Sequence, residues 1–439
     1  MRTIERARRG GERLGFKRVI GLISVVVTIG LAAPAHAQIK LQITEEGGSS
    51  LPIAVAPLQN SGGEGEQRLG EEFSTTIARD LNLSGYFRVI DQTPGGEERE
   101  GVSQEAVDFQ RWADLGALAL VKGSFSFDGD ALTVEVRLFD VAQRKQLGGK
   151  RYRGDRRDLR RMAHRFADQI MFFLTGELGP FDSRIAFVST RGGGRAKEIY
   201  FTDLTGTQVT AVTKDRTLSL GPNWNPTADM ITYCSYKRGG PYPYIIDLRT
   251  GEQRRLSFVV AYSGGRWSPD GSLIAISLEQ DGNSDLFLLS PDGRVIRRLT
   301  EHVGIDVSPT WSPDGRQIAF CSSRSGGPQI YLMNVNSGTV RRLTFRGDYN
   351  TSPAWSPKGD LIAYTSRAGG FRIMTIPANG GDPQEITSGE DPTWSPDGRY
   401  VVFTYRGRLR IARKDGRSVK QLTAGGGDDT SPAWSARLE

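Results

Sequence analysis

The sequence contains few of the residues that carry acid–base or metal chemistry, with three His and two Cys among 439 residues. His36 falls in the leader described below, His164 in a predicted helix and His302 in a predicted loop. A triad needs a base beside its nucleophile, and the nucleophile-elbow sequence G-x-S-x-G is absent. These absences argue against a hydrolase or a metalloenzyme, predict no cofactor or catalytic residue, and favour a binding protein.

Concentrated positive charge is also missing from most of the chain. The formal net charge is +7, but residues 1–37 carry seven Lys or Arg and two Glu, which leaves +2 for the remaining residues. Nucleic-acid binding requires a concentrated basic face. The composition therefore predicts no nucleic-acid partner.

The first 37 residues have the pattern of a secretory signal peptide. A basic leader precedes an apolar run of 15 residues, "VIGLISVVVTIGLAA", and Ala35 and Ala37 form an A-x-A site. The alternative, a membrane anchor, needs about 20 apolar residues. We therefore expect cleavage after Ala37 and export to a periplasm.

A repeated segment dominates the second half of the chain, and it is written most clearly as "WSPDGRQIAFCS" from Trp311. Successive Trp residues from Trp224 to Trp434 are separated by 43, 44, 44, 39 and 40 residues. A period of about 40–45 residues with short apolar runs is typical of β-propeller blades. Each unit predicts four strands, the first ending at the Trp.

The two ends of the array complete each other. The first unit, "RIAFVST" at 184–190, lacks the Trp strand, and the last unit, "SPAWS" at 431–435, consists only of it. We therefore predict six blades, closed by pairing of the C-terminal strand with the first unit, which removes the free sheet edges.

The repeat also predicts how its residues are used. Ser-Pro-Asp-Gly has the composition of a type I turn, which explains the Asp-Gly pairs without a calcium ion. Alternation in "IAFCS" places Ile318 and Phe320 on one face and Ala319 and Cys321 on the other. Cys234 and Cys321 occupy equivalent positions of non-adjacent repeats, so we expect two buried thiols and no disulfide.

The region before the repeats has a different pattern. Residues 51–178 alternate strand-like and helix-like segments, with Phe73, Ile77 and Leu81 at helical spacing, which predicts an α/β domain. "GELGP" at 176–180 predicts a linker to a propeller at 181–439. Residues 144–165 hold ten Lys or Arg and two Asp, which fits either an anionic partner or a solvated basic surface.

Two surface features are candidate binding sites. Residues 38–50 form a polar arm, either a frayed end or a strand that adds to a partner's sheet. Four of the six loops that lead into the first strand of a blade carry acids just before that strand. We expect these acids around the propeller mouth, either as turn caps or as a rim for a basic or polar protein. The candidate rim residues are Tyr262, Asp306, Asp348, Tyr349, Asn350, Glu390, Asp391, Asp428 and Asp429.

The signal peptide, the small α/β domain with "LPIAVAPLQN" and the repeats ending in "SPAWS" together resemble the TolB family, the periplasmic component of the Tol-Pal system. The resemblance covers essentially the whole exported chain, whereas the repeat alone also occurs in peptidase propellers. It implies a non-enzymatic scaffold that helps the outer membrane constrict at division and keeps it intact, with other envelope proteins as further partners.

The family resemblance also implies two binding sites. The peptidoglycan-associated lipoprotein, Pal, would bind the rim at the mouth, and the inner-membrane protein TolA would bind the arm. The predicted arm residues are Gln38, Ile39, Lys40, Leu41, Gln42 and Ile43. The loop before Trp267 lacks the Ser/Ala-Pro lead-in and the loop before Trp394 is short, which weakens the rim assignment there. The alternative function is a propeller hydrolase, a peptidase or lactonase with an unrecognised site.

Overall fold

The computed structural model describes residues 50–62, 66–90, 101–257 and 259–438. The predicted signal peptide, the arm residues 38–43 and nearly all of the arm 38–50 lie outside the described residues.

The N-terminal region is a mixed sheet with helices. Its strands run in the order β3-β1-β4-β5-β6, with β2 paired to β4. The pairs β1–β3, β1–β4 and β2–β4 are parallel, and the pairs β4–β5 and β5–β6 are antiparallel. The strands are Leu51–Val55 (β1), Gln59–Asn60 (β2), Phe87–Val89 (β3), Ala119–Asp128 (β4), Ala131–Asp140 (β5) and Lys145–Asp155 (β6). The helices are Gln67–Ser84 (α1), Phe109–Asp114 (α2) and Leu159–Thr175 (α3).

The predicted helical face of α1 is confirmed, because Phe73, Ile77 and Leu81 are buried against the sheet and α3. Two local features do not follow from the sequence pattern, namely the short parallel strand β3 and the bounds of α2. Helix α2 begins only after Asp108, whose side chain accepts a hydrogen bond from the Arg111 N–H at 3.2 Å, a helix N-cap.

The C-terminal region is a propeller of six four-stranded blades. Blade 1 contains Asp429–Trp434 (β30), Ile185–Ser189 (β7), Glu198–Thr202 (β8) and Val209–Ala211 (β9). Blade 2 contains Ser219–Trp224 (β10), Met230–Ser235 (β11), Tyr242–Asp247 (β12) and Gln253–Arg255 (β13). Blade 3 contains Arg266–Trp267 (β14), Ile274–Gln280 (β15), Asn283–Leu289 (β16) and Val295–Arg298 (β17).

The remaining blades follow the same order from the centre outwards. Blade 4 contains Asp306–Trp311 (β18), Gln317–Ser325 (β19), Gly327–Asn334 (β20) and Val340–Arg342 (β21). Blade 5 contains Asn350–Trp355 (β22), Leu361–Arg367 (β23), Phe371–Pro377 (β24) and Gln384–Ser388 (β25). Blade 6 contains Glu390–Trp394 (β26), Tyr400–Tyr405 (β27), Arg408–Arg413 (β28) and Lys420–Gln421 (β29).

The predicted closure is confirmed. The last strand, β30, pairs antiparallel with β7, with Trp434 opposite Ile185 and Asp429 opposite Ser189. The two chain segments that complete blade 1 lie more than 200 residues apart in sequence, so the ring closes only when both ends of the propeller have folded.

The predicted alternation in blade 4 is confirmed as well. Ile318 and Phe320 pack in one cluster with residues of blade 3, whereas Ala319 and Cys321 pack in another with residues of blade 5. Cys234 and Cys321 are buried free thiols, and burial raises the pKa of each to about 12. They therefore act as small apolar core residues.

The Ser-Pro-Asp-Gly turn forms as predicted. The Ser312 hydroxyl donates to Asp314 and accepts from the Gln317 N–H at 2.9 Å, and the Gly315 N–H donates to the Ser312 carbonyl. Gly315 has a φ of 70°, a conformation that favours glycine. The acid of this turn is thus engaged in holding the turn together.

Candidate functional site

The propeller has two chemically different faces. In every blade, the loop from the fourth strand to the next blade and the hairpin between the second and third strands lie on one face, which we call the mouth face. The Ser-Pro-Asp-Gly turns and the connections from third to fourth strands lie on the other, the turn face.

The α/β region packs against the turn face. Glu177, just after α3, lies 2.8 Å from Arg399 and 3.1 Å from Lys358, which belong to the turns of blades 6 and 5. The Lys358 hydrogen bond and nearby positive charges lower the pKa of Glu177. Tyr400 also donates a hydrogen bond to the Ser84 carbonyl at 3.0 Å. The turn face is therefore occupied at blades 5 and 6, and the mouth face is the candidate binding surface.

A buried charge cluster makes a second junction between the two regions. His164 Nδ1 of α3 lies 2.7 Å from Asp80 Oδ2 of α1, and its Nε2 lies 3.5 Å from Asp203 Oδ2 of blade 1. Arg160 donates to Asp203 Oδ2 at 2.9 Å. Although burial opposes its charge, the two carboxylates raise the pKa of His164 to about 10. The His predicted on a helix is thus a buried cation that bridges helix and propeller.

Three of the predicted rim residues, Asp306, Asn350 and Asp429, are fully buried. The expectation that they are exposed at the mouth is therefore wrong. Each begins the innermost strand of its blade, and the structure provides buried hydrogen-bond partners for each side chain.

The two buried aspartates form the same arrangement in blades 4 and 1. Arg324 donates to Asp306 Oδ2 at 2.8 Å, and Arg191 donates to both oxygens of Asp429 at 2.7 and 2.8 Å. The two guanidinium groups stack on Phe and Tyr rings of their own blades. These acids hold the first strand to the second through an ion pair, a role the sequence reasoning did not consider.

At the equivalent position of blade 5 an amide, Asn350, stands in place of the acid and forms hydrogen bonds instead of an ion pair. Asn350 Nδ2 donates to Gln329 Oε1 at 2.8 Å and to the Arg346 carbonyl at 2.9 Å. Asn350 is therefore a buried structural residue of the blade.

Four predicted rim residues have accessible side chains at the mouth face. Asp348 and Asp428 are exposed, and Tyr262 is 59% exposed with its hydroxyl donating to Glu279 at 2.7 Å. Tyr349 is half-buried beneath Arg367, whose guanidinium lies 4.6 Å from the ring centroid. These residues lie on loops before the first strands of blades 3, 5 and 1, as predicted.

The last two predicted residues, Glu390 and Asp391, are half-buried. Glu390 adjoins a cavity of about 350 Å³ between blades 6 and 1, and burial, then the neighbouring Asp391 charge, raises its pKa. Asp391 instead lines the central channel, where it accepts hydrogen bonds from Ser352 at 2.9 Å and Ser431 at 3.3 Å.

The central channel is lined by strained backbone. Ser308, Ser352, Asp391 and Ser431 all have φ between 50° and 55°, which costs about 1–3 kcal/mol at a non-glycine residue. At each one the register of the first strand shifts, and its residue lines a cavity of about 150 Å³. The bulges therefore supply the polar lining of the channel.

Blade 3 departs from this pattern and places Arg266 in the lining, and burial lowers the pKa of Arg266 to about 10. Its blade lies opposite blade 6 in the ring, so Arg266 faces the side that holds Asp391. The described lining contains no His or Cys, so no base of the triad type lies beside its Ser hydroxyls. The channel gives the hydrolase alternative no specific support.

Sequence reasoning missed the exposed apolar residues of the mouth face. Val303 is 94% exposed, Ile305 52% and Phe345 73%. Val303 and Ile305 precede blade 4, Phe345 precedes blade 5, and Tyr262 precedes blade 3, so they occupy consecutive loops. Clustered exposed apolar residues mark protein-interaction sites. In the sequence, the apolar residues of the loop segment "HVGID" could have indicated this exposed surface.

Across the described ranges, no helix is long and apolar enough to span a membrane, and no group of three or more His, Cys, Asp or Glu is arranged to hold a metal ion.

Two family models match the chain. The model described as the TolB amino-terminal domain matches residues 39–147, and the model described as the TolB beta propeller domain matches residues 173–438.

Individual relatives agree with the family models. The chain is 36% identical over 257 residues to the Tol-Pal system protein TolB of Desulfosudis oleivorans, covering 58% of each chain. It is 35% identical over 297 residues to that of Anaeromyxobacter dehalogenans strain 2CP-1, covering 67% of each. The first alignment thus spans less than two thirds of that relative's length.

A solved structure extends the similarity over most of the fold. The crystal structure of TolB from Acinetobacter baumannii superposes with a TM-score of 0.78 at 28% identity, covering 89% of this chain and 97% of that one. The similarity covers both the α/β region and the propeller.

Proposed function

Because the chain belongs to the TolB family, we propose that it is a non-enzymatic periplasmic scaffold of the Tol-Pal system. In this proposal the propeller mouth binds Pal and the arm at 38–43 binds TolA. The protein then supports outer-membrane invagination during division and the integrity of the envelope.

The exposed apolar cluster at the mouth carries the Pal assignment. Val303 and Phe345 project from neighbouring loops on the face that the α/β region leaves free. Tyr262 adds an amphipathic ring and Asp348 an exposed charge beside them. Apolar and aromatic anchors surrounded by polar groups are the usual centre of a protein interface. The buried residues Asp306 and Asn350 begin the first strands that follow the loops of Val303 and Phe345.

The non-enzymatic assignment is supported by the use of the two described histidines. His164 is engaged with two aspartates, and His302 Nδ1 accepts the Gly304 N–H at 2.8 Å within its own loop. Neither lies beside a hydroxyl or thiol nucleophile in the described hydrogen-bond network.

The Pal assignment is tested by calorimetry with purified Pal and the double variant Val303→Asp, Phe345→Asp. Removing two apolar anchors and placing charge at the interface should weaken Pal binding by roughly 10-fold or more. The matched control is Val295→Asp, Phe172→Asp, which changes exposed residues of the same types outside the mouth. Equal Pal affinity of the mouth variant and wild type would overturn the assignment.

The arm is tested separately by deleting residues 38–43. Pal binding should be unchanged, while TolA should no longer be retained in a pull-down. Retention of TolA by the deletion variant would refute the role of the arm without affecting the assignment of the mouth.

A further inference from the structure

A cleft of about 810 Å³ opens on the mouth face at blade 1. One wall is the hairpin between β7 and β8, residues 192–196, and the other is the loop from β9 to β10, residues 213–218. The cleft is separated in the ring from the apolar cluster, which lies on the loops before blades 3, 4 and 5. It is therefore a second surface of the same face.

Three cations line this cleft without a partner. Arg195, Lys214 and Arg216 are exposed, and within the described parts of the chain their side chains make no hydrogen bond or ion pair. The acids nearby are already engaged. Asp215 lies 3.3 Å from Lys237, and buried Glu198 accepts from Thr213 and from the Arg216 N–H.

The arrangement is unfavourable for an isolated protein. Three like charges around one cleft repel each other, and their field attracts anions. Arg216 also has a φ of 55°, a left-handed conformation that is costly for a residue with a Cβ. Uncompensated charge and backbone strain at one cleft indicate a site that is completed by a ligand.

We propose that this cleft binds an acidic peptide segment of a protein partner, with several Glu or Asp carboxylates placed against Arg195, Lys214 and Arg216. The volume is much larger than a single inorganic anion. The glycines at 192–194 leave one wall without side chains, so a peptide backbone can approach closely.

The floor of the cleft distinguishes a peptide from a glycan. Leu218 and Ala196 offer aliphatic contacts between the cations. Tyr200 is also present, but its ring stacks on Phe187 at a centroid distance of 6.1 Å and lies under Arg191 at 5.4 Å. With this ring already covered, the cleft lacks a free aromatic platform for a sugar among the residues that line it.

The proposal goes beyond the Pal and TolA assignments, and its test uses neither protein. A fluorescein-labelled peptide of six glutamates is titrated with the purified protein and followed by fluorescence anisotropy. The variant Arg195→Gln, Lys214→Gln, Arg216→Gln should bind at least about 10-fold more weakly, because three charge-assisted contacts are lost.

The control variant Arg68→Gln, Arg79→Gln, Arg88→Gln removes the same three charges from exposed positions of the α/β region. It should bind the peptide within about twofold of wild type, since its change in net charge, and hence in long-range attraction, is identical. Circular dichroism and a thermal melt establish that both variants are folded.

Two results would overturn the proposal. One is equal weakening by the two triple variants, which would reduce the effect to net charge. The other is displacement of the peptide by inorganic pyrophosphate at a concentration no higher than that required of unlabelled hexaglutamate. That result would assign the cleft to phosphate anions rather than to a peptide.

Discussion

Two basic regions of this protein can be compared. The region with more Lys and Arg in the sequence is paired with carboxylates in the structure, whereas the region with fewer is not, within the described residues. Residues 144–165 hold ten Lys or Arg, a pattern that fits either an anionic partner or a solvated basic surface, whereas Arg195, Lys214 and Arg216 are scattered over two loops. Each of the seven arginines between 151 and 165 has a carboxylate within 4.0 Å. The three scattered cations have none in the described structure.

What distinguishes the two regions is whether their cations are paired with carboxylates, and not how many cations each region contains. Cations of the basic segment hold its own hairpin and helix together and reach across to blade 1, as Arg160 does to Asp203. This supports a structural interpretation of the segment. Charges left unpaired around a cleft have no such internal use, and they are the better indication of a binding site.

Among the paired cations, Arg324 should give the largest change in stability when its carboxylate partner is removed. Asp306→Ala leaves that guanidinium partly buried without its carboxylate, so the free energy of unfolding should fall by about 3–5 kcal/mol. Urea denaturation measures the change. Asp348→Ala, an exposed acid of the next loop, is the control and should change stability by less than about 0.5 kcal/mol. Equal effects of the two substitutions would contradict the structural role of Asp306.

A second test concerns the basic segment itself. Arg160→Ala removes donors to Asp203, Thr205 and Thr207 at the junction of α3 and blade 1. We expect a loss of about 2–3 kcal/mol in the free energy of unfolding, measured by urea denaturation. If Arg160→Ala lowered the free energy of unfolding by no more than Arg216→Ala does, paired and unpaired cations would not differ in their contribution to stability.

The same junction predicts a dependence of stability on pH. The pKa of His164 is raised from 6.5 to about 10 by Asp80 and Asp203, close to Arg160. The folded state therefore holds the proton more tightly than the unfolded chain. This stabilisation is fully present below pH 6.5 and is lost as the pH rises through about 10.

Because of this group, we expect the free energy of unfolding to fall by roughly 1–2 kcal/mol between about pH 6.5 and 8, and by up to about 5 kcal/mol over the whole window. Denaturation at a series of pH values measures it, and subtracting the profile of His164→Gln isolates the contribution of His164 from the other titrating groups. Parallel profiles for the two proteins would show that His164 is not the responsible group.

The smallest change in stability is expected for the unpaired cations of the cleft. The variant Arg195→Gln, Lys214→Gln, Arg216→Gln removes charges that repel each other and whose side chains make no hydrogen bond or ion pair within the described residues. Thermal denaturation should show a stability equal to or slightly above that of wild type, within about 0.5 kcal/mol. A loss of several kcal/mol would mean that these cations hold the fold together, and that the cleft is not a site awaiting a ligand.

Much of the fold could be predicted because it depends on local patterns. The Trp spacing, the turn residues and the alternation at Ile318–Cys321 gave six blades, their closure and the packing between them. The strand β3 and the start of α2 were not predictable in the same way, because one depends on parallel pairing with β1 and the other on a single cap at Asp108.

The candidate site was predicted less well. The repeat correctly placed Asp348, Asp428 and Tyr262 at the mouth, but it treated Asp306 and Asp429 as equivalent to them. Their burial depends on Arg324 and Arg191. Arg324 lies near the end of a second strand and 18 residues after Asp306, and Arg191 lies just after a second strand and 238 residues before Asp429. No local pattern around either acid announces such a partner.

The sequence by itself determined the architecture, because turn chemistry and periodic burial act over a few residues and recur in every blade. Only the tertiary structure decided which charges are internal and which are free. The carboxylate of Asp306 meets Arg324 only when the strands of blade 4 pair, and that of Asp429 meets Arg191 only after the ring closes. The same closure decided the faces of the propeller: the α/β region covers the turn face through Glu177, His164 and Arg160, and the loops of the mouth face are left for partners.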